Sequence, residues 1–183
     1  AHPVLVGAAL AQRLRGGSDY REWLLTLPGF RFNPRFRGRQ HFDVPKLLMH
    51  MRTSVQGHGD QRLLFIEEIQ SDYNQAISRC ERRDGEKISD NAFQAHWVEL
   101  GLRVALLLAC RQGLAGVATS NGAMHDLIYR RANEGRAAFY DEQVARALHK
   151  LARRLDLEAG MTTVTGRTQH CLVSPVYEGM VTA

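Results

Sequence analysis

Hydrophobic and polar residues alternate along residues 46–54 (KLLMHMRTS) near the middle of the first half of the chain. Successive side chains of a β-strand point to opposite faces, so the alternation predicts an extended strand. Met49 and Met51 are predicted on one face of it. His50 and Arg52 are predicted on the other face.

A Gly-rich polar break, residues 55–61, separates this strand from a second apolar run at residues 62–70. Two apolar runs joined by such a break are typical of a β-hairpin, predicted here over residues 46–70. The second strand ends in polar side chains, with Glu68 and Gln70 standing where a purely structural strand would carry Val or Ile. A functional site is therefore expected at this end of the hairpin.

One pairing register brings these polar residues together, namely the one in which opposed residues have numbers with an even sum. Glu68 then lies beside Arg52 on one face of the sheet. Gln70 lies beside His50 on the same face. The other face becomes a coherent apolar core, predicted to contain Leu47, Met49, Met51, Leu63, Phe65 and Ile69.

Glu67 falls on the core side of this arrangement. It indicates either an unusual buried acid or a bulge in the strand. Leu48, Leu64 and Ile66 interleave with the polar set, which predicts a partly covered pocket where ionisable groups must pair. A solvated, salt-bridged outer face of an antiparallel sheet is the alternative interpretation.

The remaining pattern predicts helices interspersed with short strands. Helices are expected over residues 72–82, over residues 92–112 with an N-cap at Ser89-Asp90, and over residues 141–155. Ser18 and Asp19 are predicted to cap a short segment at residues 20–27. Further strands are expected at residues 114–119, 161–165 and 171–176. A central sheet with this hairpin and two long helices packed on it describes an α+β, or mixed α/β, fold.

The length of 183 residues and the hydrophobic content of 44% suit one core. We expect an N-terminal extension at a fragment boundary, residues 1–19, and a single globular domain over residues 20–183. Apolar runs stay well short of the roughly 20 residues that span a bilayer, so no membrane partner is expected. Three widely spaced cysteines favour reduced thiols in a cytoplasm, that of the producing cell or of a recipient or host cell.

The net charge is +5, and the basic residues are unevenly distributed. Residues 31–39 (RFNPRFRGR) contain four arginines and two aromatic residues. Such a loop can hold phosphates and stack on bases, or it can be a solvated loop anchored by its Phe side chains. Arg130, Arg131 and Arg136 form a second basic cluster. An anionic substrate or a nucleic acid is therefore the expected partner.

The sequence contains no Walker loop, dinucleotide glycine fingerprint, HExxH pair, CxxC pair or GxSxG elbow. These absences lower the weight of the common cofactor classes and leave the cofactor unknown. A divalent metal, or NAD as a co-substrate, stays open, and no metal ligand set is assigned.

Several segments together carry a resemblance. They are, in chain order, YREWLLTLP at residues 20–28, His41-Phe42, HMR at residues 50–52, FIEEIQSDYNQ at residues 65–75, Trp97 with Glu99, and Tyr140-Asp141. The chain resembles, over residues 20–164, a domain found in very large polyvalent proteins of phages and prophages, with EEIQSD as the most specific part. The resemblance implies a domain of a mobile-element protein or of a delivered effector or toxin. Domains that act on nucleic acids or host proteins often accompany it in such proteins, and a host or immunity protein is a further expected partner. No established reaction follows from it.

We predict a transferase or hydrolase that uses acid–base or group-transfer chemistry on a nucleotide, nucleic-acid or host-protein target. Glu68 would be the base or charge stabiliser, His50 a proton carrier and Arg52 an anion clamp. ADP-ribosyl transfer to a host target is one form of this chemistry. The predicted site comprises the catalytic residues His50, Arg52, Glu68, Gln70 and Asp72, and the substrate-binding residues Arg35, Arg37, His41, Ser71 and Asn121.

Two alternatives stay open. Glu68-Ile69-Gln70 resembles the carboxylate element of restriction-type nucleases, in which a second carboxylate binds a divalent metal. Asp72, Glu67 or Asp43 would have to supply it. The other alternative is a non-catalytic module that binds DNA or a partner protein.

Overall fold

The computed structural model describes residues 4–5, 17–29, 42, 44–58, 61–85, 93–129, 131–164 and 167–173. Within these residues seven strands form one sheet. The strands are β1 (Val4–Leu5), β2 (Ser18–Thr26), β3 (Leu47–His58), β4 (Gln61–Gln70), β5 (Gly116–Thr119), β6 (Glu158–Val164) and β7 (Arg167–Val173). Their order across the sheet is β1-β2-β3-β4-β5-β7-β6. The pairing between β4 and β5 is parallel, and the other described pairs are antiparallel.

The helical segments precede and follow β5 in the chain, between β4 and β6. They are α1 (Asp72–Asp84), α2 (Trp97–Arg111), α3 (Gly122–Tyr129), α4 (Glu134–Ala138), a π-helical segment (Phe139–Val144) and α5 (Ala145–Leu155). Leu102 and Ala105 of α2 meet Leu148 and Leu151 of α5 in the main core against the sheet. The predicted α+β architecture, a central sheet with two long helices packed on it, is confirmed. No helix in the described ranges is long and apolar enough to cross a membrane.

The hairpin of β3 and β4 has the predicted register at its functional end. Arg52 is opposed to Glu68, and His50 is opposed to Gln70. The pairing then shifts by one residue, because Thr53 is opposed to Ile66 and Glu67 is left as the extra residue of a bulge. Glu67 is also buried, with 1% of its surface exposed. Both interpretations of Glu67, a buried acid and a bulge, therefore hold together.

The bulge overturns part of the predicted core. It reverses the alternation of faces, so that Leu64 and Ile66 join Ile69 in the main core. Leu63 and Phe65 lie in a second cluster, with Ala118 and Met124. The assignment of Leu63 and Phe65 to the same face as Met49 and Met51 was wrong, because it assumed an unbroken alternation along β4.

Other boundaries differ from the predicted ones in ways that have physical causes. Ser18 and Asp19 do not cap a segment but begin β2, which pairs with β3 through Glu22 opposite Arg52. The helix predicted over residues 141–155 is continuous with the π-helical segment and α4, so it begins at Glu134. The helix predicted over residues 92–112 begins at Trp97, with His96 at the N-cap position, so the predicted cap at Ser89-Asp90 was wrong; those two residues lie outside the described ranges.

Candidate active site

A cavity of about 840 Å³ lies at the carboxyl ends of β4 and β5, the parallel pair of the sheet. The last three residues of β4, Glu68 to Gln70, line its floor. Residues of α1 line one wall, and residues of α3, α4 and the π-helical segment line the other. Ligands of sheets flanked by helices bind outside the carboxyl ends of the strands. The fold therefore places the predicted functional segment where a binding site is expected.

The cavity wall formed by α1 is fixed by Ser71, which connects β4 to the helix. Its hydroxyl accepts a hydrogen bond from the Asn74 backbone N–H at 3.2 Å, as an N-cap. The same hydroxyl donates to the Leu48 carbonyl at 2.5 Å. Ser71 is fully buried and does not line the cavity. It positions α1 relative to β3 rather than contacting a substrate.

Glu68 is the acidic centre of the site. Its carboxylate accepts hydrogen bonds from the Arg52 guanidinium and from the Tyr129 hydroxyl, one on each oxygen. Arg52 also donates from Nε to a Glu22 carboxylate oxygen at 2.7 Å. Glu22, Arg52 and Glu68 are all buried, and we call them the buried charge triad. The triad joins β2, β3 and β4 to α3 below the cavity.

The electrostatics of the triad favour a permanent cation at Arg52. Burial disfavours its charge, but the hydrogen bond to Glu22 and the charge of Glu68 outweigh that effect and raise the pKa of Arg52 above its ordinary value. The triad contains two acids and one base, so Arg52 stabilises negative charge on both neighbours. Glu68 presents the one triad carboxylate that also lines the cavity.

A stack of rings lines the cavity next to Glu68. The Arg136 guanidinium lies 4.6 Å from the centre of the Tyr129 ring. The His125 ring is stacked between Tyr129, at 6.0 Å, and Tyr140, at 3.7 Å. His125 Nε2 is 2.8 Å from the Ser120 hydroxyl. The stack holds the Tyr129 hydroxyl on Glu68.

Tyr140 closes the edge of β4 beyond the point where β5 ends. Its hydroxyl accepts from the Ile69 N–H at 3.1 Å and donates to the Ile69 carbonyl at 3.2 Å. Burial, and then the negative charge of Glu68, raise the pKa of Tyr140 above its ordinary value. Tyr140 therefore stays a neutral donor and holds the residue next to Glu68 in place.

The structure brings together only part of the predicted site. Glu68 and Gln70 line the cavity, and Gln70 donates to Asp72 at 2.6 Å. His50 is opposed to Gln70, but only 1% of its surface is exposed and it does not line the cavity. Arg52 is engaged by two carboxylates, so the role of anion clamp does not fit its contacts.

The predicted substrate-binding residues that the structure describes, Ser71 and Asn121, are not part of the cavity lining. Asn121 does not line the cavity, and its side-chain oxygen instead accepts the Met124 backbone N–H at 3.0 Å, at the start of α3. Arg35, Arg37 and His41 lie outside the described residues, as do Asp43 and Arg130.

Four residues of the site were not predicted from the sequence: Glu22, Ser120, His125 and Tyr129. Glu22 lies in a segment that was not predicted as a strand. His125 and Tyr129 are four residues apart on a short helix, a spacing that places them on one face and could have been noticed. Their proximity to Glu68 depends on the long-range pairing of β5 with β4.

A metal ligand set is not assembled in the described part of the chain. There, no group of three His, Cys, Asp or Glu side chains is arranged to hold a metal ion. Both oxygens of Glu68 have protein partners, and Asp72 is engaged by Gln70. The nuclease alternative would therefore need carboxylates from other residues, such as Asp43.

A scan against family models found no match, and searches of curated proteins and of solved structures found no similar chain. What the cavity does is therefore inferred from its residues and their geometry.

Proposed function

We propose that the chain is a catalytic domain of a mobile-element or delivered effector-type protein. It acts by acid–base or group-transfer chemistry on a nucleotide, nucleic-acid or host-protein target. One observation carries the proposal: the carboxylate of Glu68 lines a cavity although only 6% of the residue is exposed. A buried carboxylate in a cleft, held by specific partners, is typical of catalytic sites.

The contacts of Glu68 suit a base or a charge stabiliser. Arg52 fixes the position of the carboxylate from below, and Tyr129 holds its other oxygen from the cavity side. A preorganised negative charge of this kind can accept a proton from a substrate nucleophile or stabilise a developing oxocarbenium-like centre.

We assign proton transfer to residues other than His50. Tyr129 is 39% exposed and links Glu68 to the cavity through its hydroxyl. His125 also lines the cavity and contacts Ser120. The chemistry proposed for His50 is therefore reassigned to this pair, while Arg52 becomes a positioning residue.

A non-catalytic binding module is the second candidate, favoured by the basic side chains Arg79, Arg82 and Arg136 around the cavity. In that case the same cavity would hold an anionic partner without converting it. Turnover separates the two candidates.

The test compares the wild type with Glu68→Gln and with Glu134→Gln, which removes one exposed acid of α4 outside the cavity lining. Each form is expressed in bacteria to score growth, then purified and incubated with DNA, RNA and NAD, with and without magnesium. We expect toxicity and turnover in the wild type and in Glu134→Gln, and their loss in Glu68→Gln. Unchanged turnover in Glu68→Gln contradicts the proposal, and salt-sensitive nucleic-acid binding without turnover supports the binding module.

A further inference from the structure

The face that α1 presents to the cavity is polar along its whole length. Its cavity-lining residues recur every three to four positions, as one stripe of a helix does. Tyr73 and Ile77, on the other side of α1, are buried in the main core. The polar stripe consists of Asn74, Gln75, Ser78, Arg79 and Arg82.

The cavity lining carries excess positive charge. Arg79 and Arg82 project from α1 and line the cavity, whereas Arg136 of α4, which also lines it, is paired with Asp126 at 3.0 Å. In the part of the chain that the structure describes, Glu68 is the one carboxylate in the lining, and it shares Arg52 with Glu22. The positive charge that can serve a ligand is therefore that of Arg79 and Arg82, two neighbouring guanidinium groups that favour a ligand with more than one negative charge.

The arginines retain hydrogen-bonding capacity for such a ligand. Within the described residues, Arg79 donates to Gln75 at 3.1 Å, and no protein partner is recorded for Arg82. Arg136 Nε is buried and has no hydrogen-bond partner there, while its Nη2 donates to Asp126 at 3.0 Å and to the Arg131 carbonyl at 2.5 Å. Guanidinium groups bind phosphate oxygens in a planar, two-pronged geometry. A ligand with two linked phosphates would use these donors.

A second part of the cavity suits a flat heteroaromatic ring. Phe139 and Trp97 both line it, and their rings are stacked on each other at 5.7 Å. Gln143 also lines the cavity and carries an amide donor and acceptor, whereas the Gln94 amide nitrogen, likewise in the lining, donates to Glu81 at 2.9 Å. An aromatic surface beside amides is the combination that stacks on a base and hydrogen-bonds its edge.

The volume suits a small molecule. Ligand sites of proteins commonly enclose roughly 300–1,000 Å³, and this cavity, at about 840 Å³, lies within that range. A nucleotide of one or two bases fills such a space.

We propose that the cavity binds a nucleoside diphosphate, or the diphosphate part of a dinucleotide. Its phosphates lie on Arg79 and Arg82, its base on the Phe139 side, and its reacting end at Glu68. This inference rests on the proposed function and names the substrate class of the same site.

The test is calorimetric titration of the full chain with ADP, inorganic pyrophosphate, adenosine and a single-stranded oligonucleotide. The variant is Arg79→Gln with Arg82→Gln. Its matched control is Arg146→Gln with Arg153→Gln, which removes two exposed arginines of α5 outside the cavity lining. Glu68→Gln is titrated in parallel.

We expect ADP to bind, pyrophosphate to compete with it, and adenosine to bind much more weakly. The double variant should bind ADP roughly a hundredfold more weakly, since each lost guanidinium removes charge-assisted hydrogen bonds. The control pair should retain wild-type ADP binding, and the Glu68→Gln titration separates a loss of binding from a loss of turnover.

Absence of ADP binding overturns the inference, and so does equal ADP affinity in the double variant and its control. Oligonucleotide binding that replaces ADP binding and is lost in the double variant assigns the arginines to nucleic acid instead. These failures leave the proposed function standing if Glu68→Gln still abolishes turnover of another substrate. If ADP binds but Glu68→Gln turns over normally, the proposed function fails and this site remains.

Discussion

At the scale of one residue, Arg52 and its two buried partners, Glu22 and Glu68, depend on one another. Arg52 lies between two carboxylates in a region with little access to water. Burying a charge is costly unless it is paired, and removing one partner leaves the others uncompensated. Arg52 therefore contributes to stability and to the position of Glu68 at once.

The substitution Arg52→Ala should lower the free energy of unfolding by about 3–5 kcal/mol, because it leaves Glu22 and Glu68 buried without their cation. Urea denaturation measures this change. Arg21→Ala is the control, since Arg21 pairs with Asp19 at 2.8 Å in an exposed position of the same sheet. A loss of only about 0–1 kcal/mol is expected there, and equal losses in the two variants would contradict the assignment.

The sequence could predict the pairing of Arg52 with Glu68, because the hydrophobic alternation of two adjacent strands fixes which residues oppose each other. It could not predict Glu22 or Tyr129 as further partners. Glu22 reaches Arg52 only because β2 pairs with β3, and Tyr129 reaches Glu68 only because α3 follows β5. Contacts of this kind depend on sheet order, which local patterns do not encode.

At the scale of elements, the Tyr140 side chain joins the π-helical segment to the end of β4. Tyr140→Phe removes the hydroxyl that satisfies both backbone groups of Ile69. We expect a loss of about 1–3 kcal/mol in the free energy of unfolding. Hydrogen exchange should show faster exchange of the Ile69 amide. The Ser120 amide, which donates to the Ile66 carbonyl at 2.9 Å, should keep its protection; a uniform change in both amides would argue against a local role.

The junction of α3 and α4 depends on close approach at Gly122. A Cβ added there would lie 2.6 Å from the Ala137 Cα, which is backbone and cannot move aside cheaply. Gly122→Ala should therefore lower the free energy of unfolding by about 1–3 kcal/mol. It should also reduce activity, because α3 carries Tyr129. Gly160→Ala, which meets nothing within 4 Å, should change stability by less than about 0.5 kcal/mol.

The helices α2 and α5 are linked on their outer side by Glu99. Its carboxylate contacts Arg103 at 2.9 Å, Arg154 at 2.8 Å and Lys150 at 3.6 Å. The hydrogen bond from Arg103 lowers the pKa of Glu99, burial opposes this, and the charges of Arg154 and Lys150 add to the lowering. The folded pKa thus lies below the unfolded one, so the stabilisation is present at neutral pH and is lost as pH falls through the folded pKa.

Glu99→Gln should accordingly cost about 0.5–1 kcal/mol at neutral pH, the range for exposed ion-pair networks. The difference from the wild type should shrink once pH falls below the ordinary range of a glutamate, near about 4.3. Chemical denaturation at several pH values measures it. Glu142→Gln, which removes an exposed acid with no recorded partner among the described residues, should show no such pH-dependent difference.

Most of the longer strands and helices could be predicted from the sequence, because a strong hydrophobic periodicity marks β3, β4, α2 and α5. The exceptions have local causes. The bulge at Glu67 exchanged the faces of Leu63 and Phe65. The short helices α3 and α4 lack the length over which periodicity is visible.

At the scale of the whole molecule, the sheet order explains where the site lies. The chain runs from β4 through α1 and α2 to β5, which pairs with β4 in parallel. The carboxyl ends of these two strands therefore lie at the same edge of the sheet, next to the helices that follow them. In the sequence, the polar residues at the end of β4 already predicted a functional site. The second wall is formed by residues between His125 and Gln143, far from β4 in the chain, and only the fold brings them to the site.

If Glu68 performs chemistry in this cavity, the kcat of Glu68→Gln on the substrate that the wild type converts will reveal it. The variant leaves Glu22 and Arg52 as a balanced pair, so the protein should stay folded, which circular dichroism can verify. We expect a kcat lower by about 10²–10⁴-fold, the usual contribution of a general base. A folded Glu68→Gln protein with wild-type kcat would show that Glu68 is not catalytic.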